Sequence, residues 1–248
     1  MRKGEAIVIT GAARGLGAVL TKHFAAAGRP VAMTYRSPES AAALFSDLEA
    51  LGCRERVLAA PADVRDRAAL RALFECTEDI HGGARTLIAC AGMNRDKPFL
   101  ELTDDDWSEV VDSHLTGLFI TAQEFLRHLG PRQGSIITLG AGCGVQGRLN
   151  GTNFCSAKGG VHAFTKCLAR EFAPRVRVNC LIPNAVDTEE VRERYALDTP
   201  EGLERVVSSI PMGRLGAHQD VIHMVECMLG AEFTTGQTFY VNGGELMR

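Results

Sequence analysis

Short apolar runs alternate with longer amphipathic stretches along the chain, and this alternation predicts the secondary structure. Residues 6–10 form a continuous apolar run, typical of a buried strand, and a glycine-rich turn and a helical pattern follow them. Six further runs predict strands at 31–35, 56–60, 86–90, 136–139, 176–182 and 239–241. Strands that alternate with helices are typical of βαβ units, so we expect an α/β fold with a parallel sheet that helices cover on both faces.

Three later stretches bear on function because they follow strands, at the edge where α/β proteins bind ligands. One predicted helix begins at Thr103, whose hydroxyl group and acidic following turn suit a helix N-terminus, and extends to about residue 129. A second helix carries the segment 151–160. The charged stretch 189–213 lacks a clear strand partner, and we expect it to form a substrate lid. No linker or repeat interrupts the pattern, so residues 1–248 are expected to form one domain.

Composition and charge narrow the class of protein. Hydrophobic residues make up 46% and charged residues 23% of the 248 residues, which is typical of a globular protein. The formal net charge of -3 argues against a nucleic-acid-binding surface. The eight cysteines show no CxxC pair and no metal-ligand spacing, so we interpret them as small buried hydrophobic residues in a reducing compartment. Residues 1–5 lead straight into the first strand and no apolar run has membrane-spanning length, which favours a cytoplasmic protein.

The turn between the first strand and the first helix has the pattern of a nucleotide-binding site. Gly11, Gly15 and Gly17 allow a tight turn and a close approach of the backbone to a pyrophosphate, with Arg14 and Leu16 between them. The helix start adds free N–H groups and a partial positive charge. A purely structural turn is the alternative, but the position between a strand and a helix favours dinucleotide binding.

The end of the second strand indicates which dinucleotide binds. A carboxylate there would accept a hydrogen bond from a ribose 2′-hydroxyl group, whereas a basic residue would bind a 2′-phosphate. Arg36 and Ser37 follow the strand without a carboxylate, and Arg14 lies in the glycine turn. We therefore expect NADP(H) rather than NAD(H). The alternative is that both arginines are solvated surface residues.

Several motifs, in the same order along nearly the whole chain, resemble the short-chain dehydrogenase/reductase family and within it the bacterial β-ketoacyl acyl-carrier-protein reductases. They are the TGxxxGxG turn at 10–17, Asp63-Val64, the run 168–171, residues 178–179 before Pro183, and the segment 235–244. The resemblance implies a Rossmann-like, doubly wound sheet of seven parallel strands in three α/β/α layers. It also implies an oligomer, usually a tetramer, that forms through two long helices.

The resemblance further implies which residues surround the cofactor. Asp63 and Val64 would lie at the adenine, and Thr188 near the nicotinamide amide. The family's NNAG turn after the fourth strand corresponds to Ala89-Cys90-Ala91-Gly92, and its Pro-Gly pair after the sixth strand corresponds to Pro183-Asn184. Both segments depart from the family pattern while keeping the cofactor-facing Ala91, Gly92 and Pro183.

Three of the family's four catalytic positions are substituted. The family uses a tyrosine as proton donor, a lysine four residues later, a serine after the fifth strand and an asparagine on the preceding long helix. Lys158 is present, but Phe154 stands at the tyrosine position, Ala141 at the serine position and His114 at the asparagine position. Residues four apart share a helix face, so Phe154 and Lys158 should border the same space. Since a general acid contributes about 10²–10⁴ in rate, ordinary ketone reduction should be crippled.

Three readings of the altered site remain open. In the first, the protein is an NADPH-dependent reductase of a ketone or β-ketoacyl thioester with another proton source. His114 is the leading candidate because imidazole titrates near neutral pH, and Lys158, or a water on it, is the second; His114 could equally be a core histidine held by hydrogen bonds. In the second reading, the chain is a catalytically silent subunit of a hetero-oligomer. In the third, it is a non-redox enzyme or a ligand-binding protein.

The resemblance also suggests an acidic acyl carrier protein as partner. Arg132 and Arg175 match positions at which the reductases carry basic residues for that contact. The alternative is that both arginines are solvated loop charges. The expected assembly is a homo-oligomer, either a tetramer or a dimer, or a hetero-oligomer with a homologous reductase.

Overall fold

Seven parallel strands form one sheet in the computed structural model, which describes residues 5–247. The strands are β1 (Ala6–Thr10), β2 (Val31–Tyr35), β3 (Val57–Pro61), β4 (Ala84–Ala89), β5 (Gly134–Leu139), β6 (Val176–Pro183) and β7 (Thr238–Val241). Their order in the sheet is β3-β2-β1-β4-β5-β6-β7. The predicted Rossmann-like, doubly wound fold is confirmed. Residues 1–4, on which the prediction about the N-terminus rests, and residue 248 lie outside the described residues.

Helices connect the strands within the described part of the chain. They are α1 (Gly15–Ala26), α2 (Pro38–Ala50), α3 (Arg67–His81), α4 (Asp104–Val111), α5 (Gly117–Leu129), α6 (Cys143–Gln146), α7 (Thr152–Phe172), α8 (Glu189–Tyr195), α9 (Pro200–Val207) and α10 (His218–Gly230). The helix predicted over 103–129 consists of α4 and α5, joined by a π-helical turn at Asp112–Thr116. Helix α10 was not predicted, although its buried Val221, Ile222, Val225 and Met228 have helical spacing.

The strands form because their residues are apolar on both faces, as a parallel sheet covered by helices requires. All five residues of β1 are buried. Ile7 and Ile9 belong to one core, together with Leu20 and Phe24 of α1. Val8 belongs to a second core, which includes aromatic residues of α3 and α5. The alternation of successive side chains therefore places one hydrophobic core on each face of the sheet.

The strand order reverses between β1 and β4, and this reversal positions the functional site. The chain builds the sheet outward from β1 to β2 and β3, and then returns to the other side of β1 with β4. The connections that follow β1 and β4 therefore diverge, and they open a crevice at the carboxyl ends of the strands. In open α/β sheets, ligands bind at such a crevice.

Helices α8 and α9, which lie in the predicted lid segment, border this crevice. Their own small apolar core consists of Leu197, Val206 and Ile210, against which Val191 and Tyr195 pack. None of the residues of α8, all of which the structure describes, is buried. The apolar contacts of α8 are therefore confined to this small core, against which Ala185 and Leu215 of the neighbouring loops also pack. Among residues 5–247, no helix combines the length and apolarity needed to cross a membrane.

Candidate active site

One cleft of about 1240 Å³ at the carboxyl ends of the strands collects the candidate site residues that the sequence indicates. It is lined by the cofactor candidates Gly11, Arg14, Gly15, Leu16, Gly17, Arg36, Ser37, Asp63, Val64, Ala91, Gly92, Pro183 and Thr188, and by the catalytic candidates His114, Ala141, Phe154 and Lys158. They converge because parallel strands end at the same edge of the sheet. The cleft exceeds the roughly 300–1000 Å³ of a typical single-ligand pocket, so it can hold a dinucleotide together with a substrate.

The glycine-rich turn forms a close-fitting cradle. Gly11 has a φ of 64°, and a Cβ atom there would lie 2.5 Å from Cα of Ala91. A Cβ atom on Gly17 would lie 2.6 Å from the carbonyl oxygen of Gly11. Helix α1 has no side-chain cap and no acidic residue in its first turn, so its first N–H groups remain available to an anion. These features fit the pyrophosphate of a dinucleotide.

Arginine side chains line the part of the cleft next to β2. Arg14 and Arg36 were expected there, and Arg65 joins them. Arg65 donates hydrogen bonds to both carboxylate oxygens of Asp63, at 2.9 and 2.7 Å, and these bonds are the main cause of the lowered pKa of Asp63. The Asp63 carboxylate is thereby paired with Arg65. Arg14 and Arg36 leave this part of the cleft with a net positive charge, which suits a phosphate group. Only its position beside Asp63 could have pointed to Arg65 in the sequence.

Lys158 is buried in the wall of the cleft. Its ammonium group donates a hydrogen bond of 2.7 Å to the carbonyl oxygen of Leu139 at the end of β5. The side chain is only 7% exposed, and this burial lowers the pKa of Lys158 to about 8. The lysine can therefore change its protonation state near physiological pH, which an exposed lysine does not do.

The phenyl ring of Phe154 occupies the face of α7 that it shares with Lys158. The Lys158 ammonium nitrogen lies 5.6 Å from the ring centroid, and the guanidinium carbon of Arg148 lies 4.6 Å from it. The imidazole of His114 meets the ring edge-on, with centroids 5.0 Å apart. The ring therefore lies among two cations and an imidazole, and it makes cation–π contacts but can donate no proton.

Arg148 was not identified from the sequence, because its position in a loop six residues before Phe154 carries no periodic signal. Its side chain packs over Gly151, where a Cβ atom would lie 2.5 Å from Nε of Arg148. The Arg148 side chain therefore uses the space left by the missing side chain of residue 151 while its guanidinium contacts the ring of Phe154. Residues 147–151, which connect α6 to α7 and carry Arg148, are called the active-site loop below.

His114 lies in the π-helical turn and is only 7% exposed. Its Nε2 atom lies 2.8 Å from the carbonyl oxygen and 3.1 Å from the amide nitrogen of Met93, and a single ring nitrogen can serve only one of them at a time. Its Nδ1 atom has no hydrogen-bond partner within residues 5–247. Burial, and then the charge of Lys158, hold the pKa of His114 well below its usual value. The imidazole is therefore neutral at physiological pH.

A small cavity with room for about one water molecule lies beside His114 and Lys158. His114 and Lys158 both line it, together with the polar residues Thr10 and Ser113. A water molecule there would have polar partners, as a buried water requires.

Other substitutions also change the polarity of the cleft. Ala141 places a methyl group where a hydroxyl group is expected, and its carbonyl oxygen lies 3.4 Å from Nε2 of His162. Asn184, after β6, donates a hydrogen bond to the carboxylate of Glu245, and both residues line the cleft. Thr188 caps helix α8 by accepting a hydrogen bond from the amide of Val191. No cluster of three or more potential metal ligands occurs among residues 5–247.

The two candidate carrier-binding arginines lie away from this cleft. Arg132 precedes β5 and Arg175 precedes β6, at the amino ends of the strands, which is the opposite edge of the sheet. Arg132 pairs with Glu78 at 2.9 Å, and Arg175 donates a hydrogen bond to the carbonyl oxygen of Gly130 at 2.5 Å. A carrier that contacts both arginines would therefore not face the cleft of the same chain directly.

Comparison with known proteins agrees with this architecture. The family model described as short chain dehydrogenase matches residues 5–197. The chain is 32% identical over 245 residues to the 3-oxoacyl-(acyl-carrier-protein) reductase FabG of Chlamydia pneumoniae, covering 97% of this chain and 96% of that protein. It is 32% identical over 250 residues to FabG of Pseudomonas aeruginosa, covering 99% of this chain and 98% of that protein.

Solved structures show the same similarity in three dimensions. A short-chain dehydrogenase/reductase from Brucella melitensis, described as a glucose/ribitol dehydrogenase, superposes with a TM-score of 0.89 at 28% identity over 100% of both chains. A variant of the actinorhodin polyketide ketoreductase with NADPH also reaches a TM-score of 0.89, at 28% identity over 98% of this chain and 97% of that chain.

Proposed function

The chain belongs to the short-chain dehydrogenase family, and on that premise we propose that it is an NADP(H)-dependent reductase of a ketone or β-ketoacyl thioester in which Lys158 donates the proton. One observation carries this proposal. The Lys158 ammonium group, whose pKa is about 8, lines the same cleft as the glycine cradle. The chain thus keeps a binding site for the hydride-donating cofactor and a group that can release a proton at neutral pH, although it lacks the tyrosine.

The residues of the cleft support a phosphorylated dinucleotide as the cofactor. The turn with Gly11 and Gly17, followed by the open N-terminus of α1, would hold the pyrophosphate. Arg36 and Arg14 would hold the 2′-phosphate. A bound nicotinamide cofactor supplies the hydride. The presence of NADPH in the structure of the similar actinorhodin ketoreductase favours the same choice here.

Lys158 is a better proton donor than His114, which was the leading candidate from the sequence. An efficient general acid has a pKa near the working pH, and the pKa of Lys158 meets this condition. His114 has a strongly lowered pKa, so its imidazolium form is scarcely populated, and Met93 already engages its Nε2 atom. In this proposal His114 is a positioning residue, and a water molecule in the small cavity beside it would return a proton to Lys158.

The names of similar proteins support the substrate class. The relatives from Chlamydia pneumoniae and Pseudomonas aeruginosa are called 3-oxoacyl-(acyl-carrier-protein) reductases, and one structural neighbour is a polyketide ketoreductase. All three names describe reduction of a ketone on an acyl chain or polyketide. Because the tyrosine is absent, we expect turnover to be slower than in a reductase with a tyrosine. The largest expected loss in rate is the factor of about 10²–10⁴ that a general acid contributes.

A second candidate function is that of a silent subunit in an assembly with an active homologous reductase. The specific observation in its favour is the environment of Phe154. Its ring is surrounded by Arg148, Lys158 and His114, and Ala141 supplies no hydroxyl group for a substrate oxygen. Such a site can keep the fold and the cofactor without chemistry of its own.

A carrier protein is a further proposed partner. Arg132 and Arg175 would meet an acidic carrier at the edge of the sheet opposite the cleft, so that the acyl chain would enter the cleft of a second subunit. Replacing both arginines by glutamate should weaken carrier binding and reduce its salt dependence. Unchanged affinity of this double variant for the carrier would exclude the contact.

Turnover assays separate the two functions. Purified protein is incubated with NADPH and a β-ketoacyl thioester, alone and mixed with a homologous active reductase. Turnover by the protein alone supports the reductase, whereas activity that requires the mixture, and rises above that of the active partner alone, supports the silent subunit. NADPH binding without turnover in either sample would instead favour the third reading, a ligand-binding protein.

Variants of the two candidate donors identify the proton source. Lys158→Arg keeps the positive charge but cannot release a proton, because the pKa of arginine exceeds 12. We expect it to lose turnover at saturating NADPH, while His114→Asn, which introduces the family residue, retains most of it. The opposite pattern, with His114→Asn inactive and Lys158→Arg active, would assign the proton to His114.

A further inference from the structure

Three segments that border the cleft meet at the carboxylate of Asp96. Asp96 lies in the connection between β4 and α4, Arg148 in the connection between α6 and α7, and Arg194 in helix α8. Arg148 donates hydrogen bonds from Nη2 to both carboxylate oxygens of Asp96, at 2.6 and 2.9 Å. Arg194 donates from Nη1 to the same carboxylate at 2.8 Å. One carboxylate thus connects the active-site loop to the lid.

A second set of contacts closes the same ring of residues. Asn94 accepts a hydrogen bond from Arg148 at 3.1 Å and donates one of 2.5 Å to Glu190 of α8. Arg194 also pairs with Glu190 at 3.1 Å. Asn94, Arg148, Glu190 and Arg194 all line the cleft. Helix α8 is therefore linked at two points to the segment on the other side of the opening.

The two sides of this contact differ in how firmly they are held. The segment around Asp96 is tied to the active-site loop by a backbone hydrogen bond of 2.9 Å from Lys97 to Asn150, and Asn153 of α7 donates to the carbonyl oxygen of Arg95 at 2.9 Å. Helix α8 has no buried residue, and its Val191 and Tyr195 pack only against the small core that contains Val206 of α9. Release of the polar contacts would therefore free the lid and leave the other side in place.

We propose that Asp96 is the latch of the substrate cleft: it holds the lid helix α8 closed through Arg194, and a substrate enters when this contact opens. The side chains of Asp96, Arg148 and Arg194 are 31%, 22% and 20% exposed, so their interaction is only partly screened by solvent. A contact of this kind is strong enough to bias the lid and weak enough to open. Opening and closing of the latch involve no catalytic step, whereas the effect of the latch on turnover rests on the proposed function.

Hydrogen–deuterium exchange of the full chain tests the latch without any turnover. The Asp96→Asn substitution removes the charge and keeps the size of the side chain, and we expect exchange of α8 amides to become about threefold to tenfold faster. Arg194→Gln should produce the same change, and the double variant should add little to either, because both substitutions break the same contact between Asp96 and Arg194. High salt should speed exchange of α8 in the wild type more than in either variant.

Asp198→Asn is the matched control. Asp198 pairs with Arg192 at 2.9 Å on the same lid, but this pair does not reach the segment around Asp96. We expect Asp198→Asn to leave exchange at the Glu190 end of α8 close to that of the wild type. Equal acceleration by Asp198→Asn and Asp96→Asn, or no acceleration by either Asp96→Asn or Arg194→Gln, would overturn the latch.

Steady-state kinetics then separate the latch from the proposed reaction. If the protein reduces a β-ketoacyl thioester, Asp96→Asn should change KM for the thioester about threefold or more and change kcat little, with NADPH affinity preserved. Faster exchange without turnover in any variant would keep the latch and refute the reductase. Turnover in variants whose exchange is unchanged would support the reductase and refute the latch.

Discussion

The missing tyrosine offers the most direct test of the active-site geometry. The perturbation is the double substitution Phe154→Tyr with Ala141→Ser, which returns the two absent hydroxyl groups to the cleft. Phe154 is 9% exposed and lies on α7, on the helix face that also carries Lys158. We expect a large gain in ketone reduction, because the cofactor cradle and Lys158 are already present.

The structure sets the size of this gain. Lys158 Nζ lies 5.6 Å from the centre of the ring. A phenolate oxygen at a similar distance from Nζ would be stabilised by about 3 kcal/mol at an effective dielectric constant of about 20, which would lower the pKa of the new phenol from about 10 to about 8. A phenol of this acidity remains mostly protonated at neutral pH and suits a general acid. We therefore expect kcat to rise by about 10²–10⁴, which corresponds to about 3–5 kcal/mol of barrier.

The assay is single-turnover oxidation of NADPH with a β-ketoacyl thioester, together with NADPH affinity and melting temperature for each variant. Phe154→Leu is the matched control, since it removes the ring without adding a hydroxyl group, and it should give no gain. Ala141→Ser alone should also give little, because it adds no acid of suitable pKa. If the double variant binds NADPH and folds normally but turns over no faster than the wild type, the inferred geometry around Lys158 is wrong.

Three further predictions follow from individual contacts. Because the pKa of Lys158 is lowered to about 8 and its protonated form is the donor, the rate should fall about tenfold for each pH unit above about 8. The His114→Asn variant should show the same fall. A rate that rises above about pH 8 would contradict the assignment of Lys158 as the donor. Gly92→Ala should destabilise the fold by about 1–3 kcal/mol in denaturant unfolding, because its Cβ atom would lie 1.9 Å from Cε1 of His114, and adding His114→Ala should recover most of that loss. Arg36→Ala should weaken NADPH binding about 10-fold or more in a titration and leave NADH binding nearly unchanged, whereas equal losses for both cofactors would exclude a role in reading the 2′-phosphate.

The strands and the cofactor cradle could be predicted because their signals are local. A buried parallel strand is apolar on both faces, so runs such as β1 and β6 stand out from the amphipathic helices. The glycine turn could be recognised because Gly11 and Gly17 have close backbone neighbours that no side chain can share. Helix α10 was not predicted, although its apolar spacing was present in the sequence.

The residues at the positions that the family resemblance marks as catalytic could also be identified from the sequence, but their environment could not. Phe154, Ala141 and His114 are placed at these positions by the resemblance to the family's motifs, and this assignment stays a prediction. The sequence could not indicate that His114 is engaged by Met93 and kept neutral, which reversed the ranking of the two candidate proton donors. A pKa depends on burial and on neighbouring charges, and neither is written in the order of residues.

What the sequence determined by itself is therefore the alternation of strands and helices, the nucleotide turn and the identity of the side chains at the positions that the family resemblance marks as catalytic. Only the tertiary structure decided which side chains meet: Arg148 with the ring of Phe154, Arg65 with Asp63, and Arg194 with Asp96. The physical reason is the range of the interactions. Periodicity and turn geometry act between near neighbours in the chain, whereas the contacts of Asp96 join residues 52 and 98 positions apart, which come together only when the sheet aligns the ends of its strands.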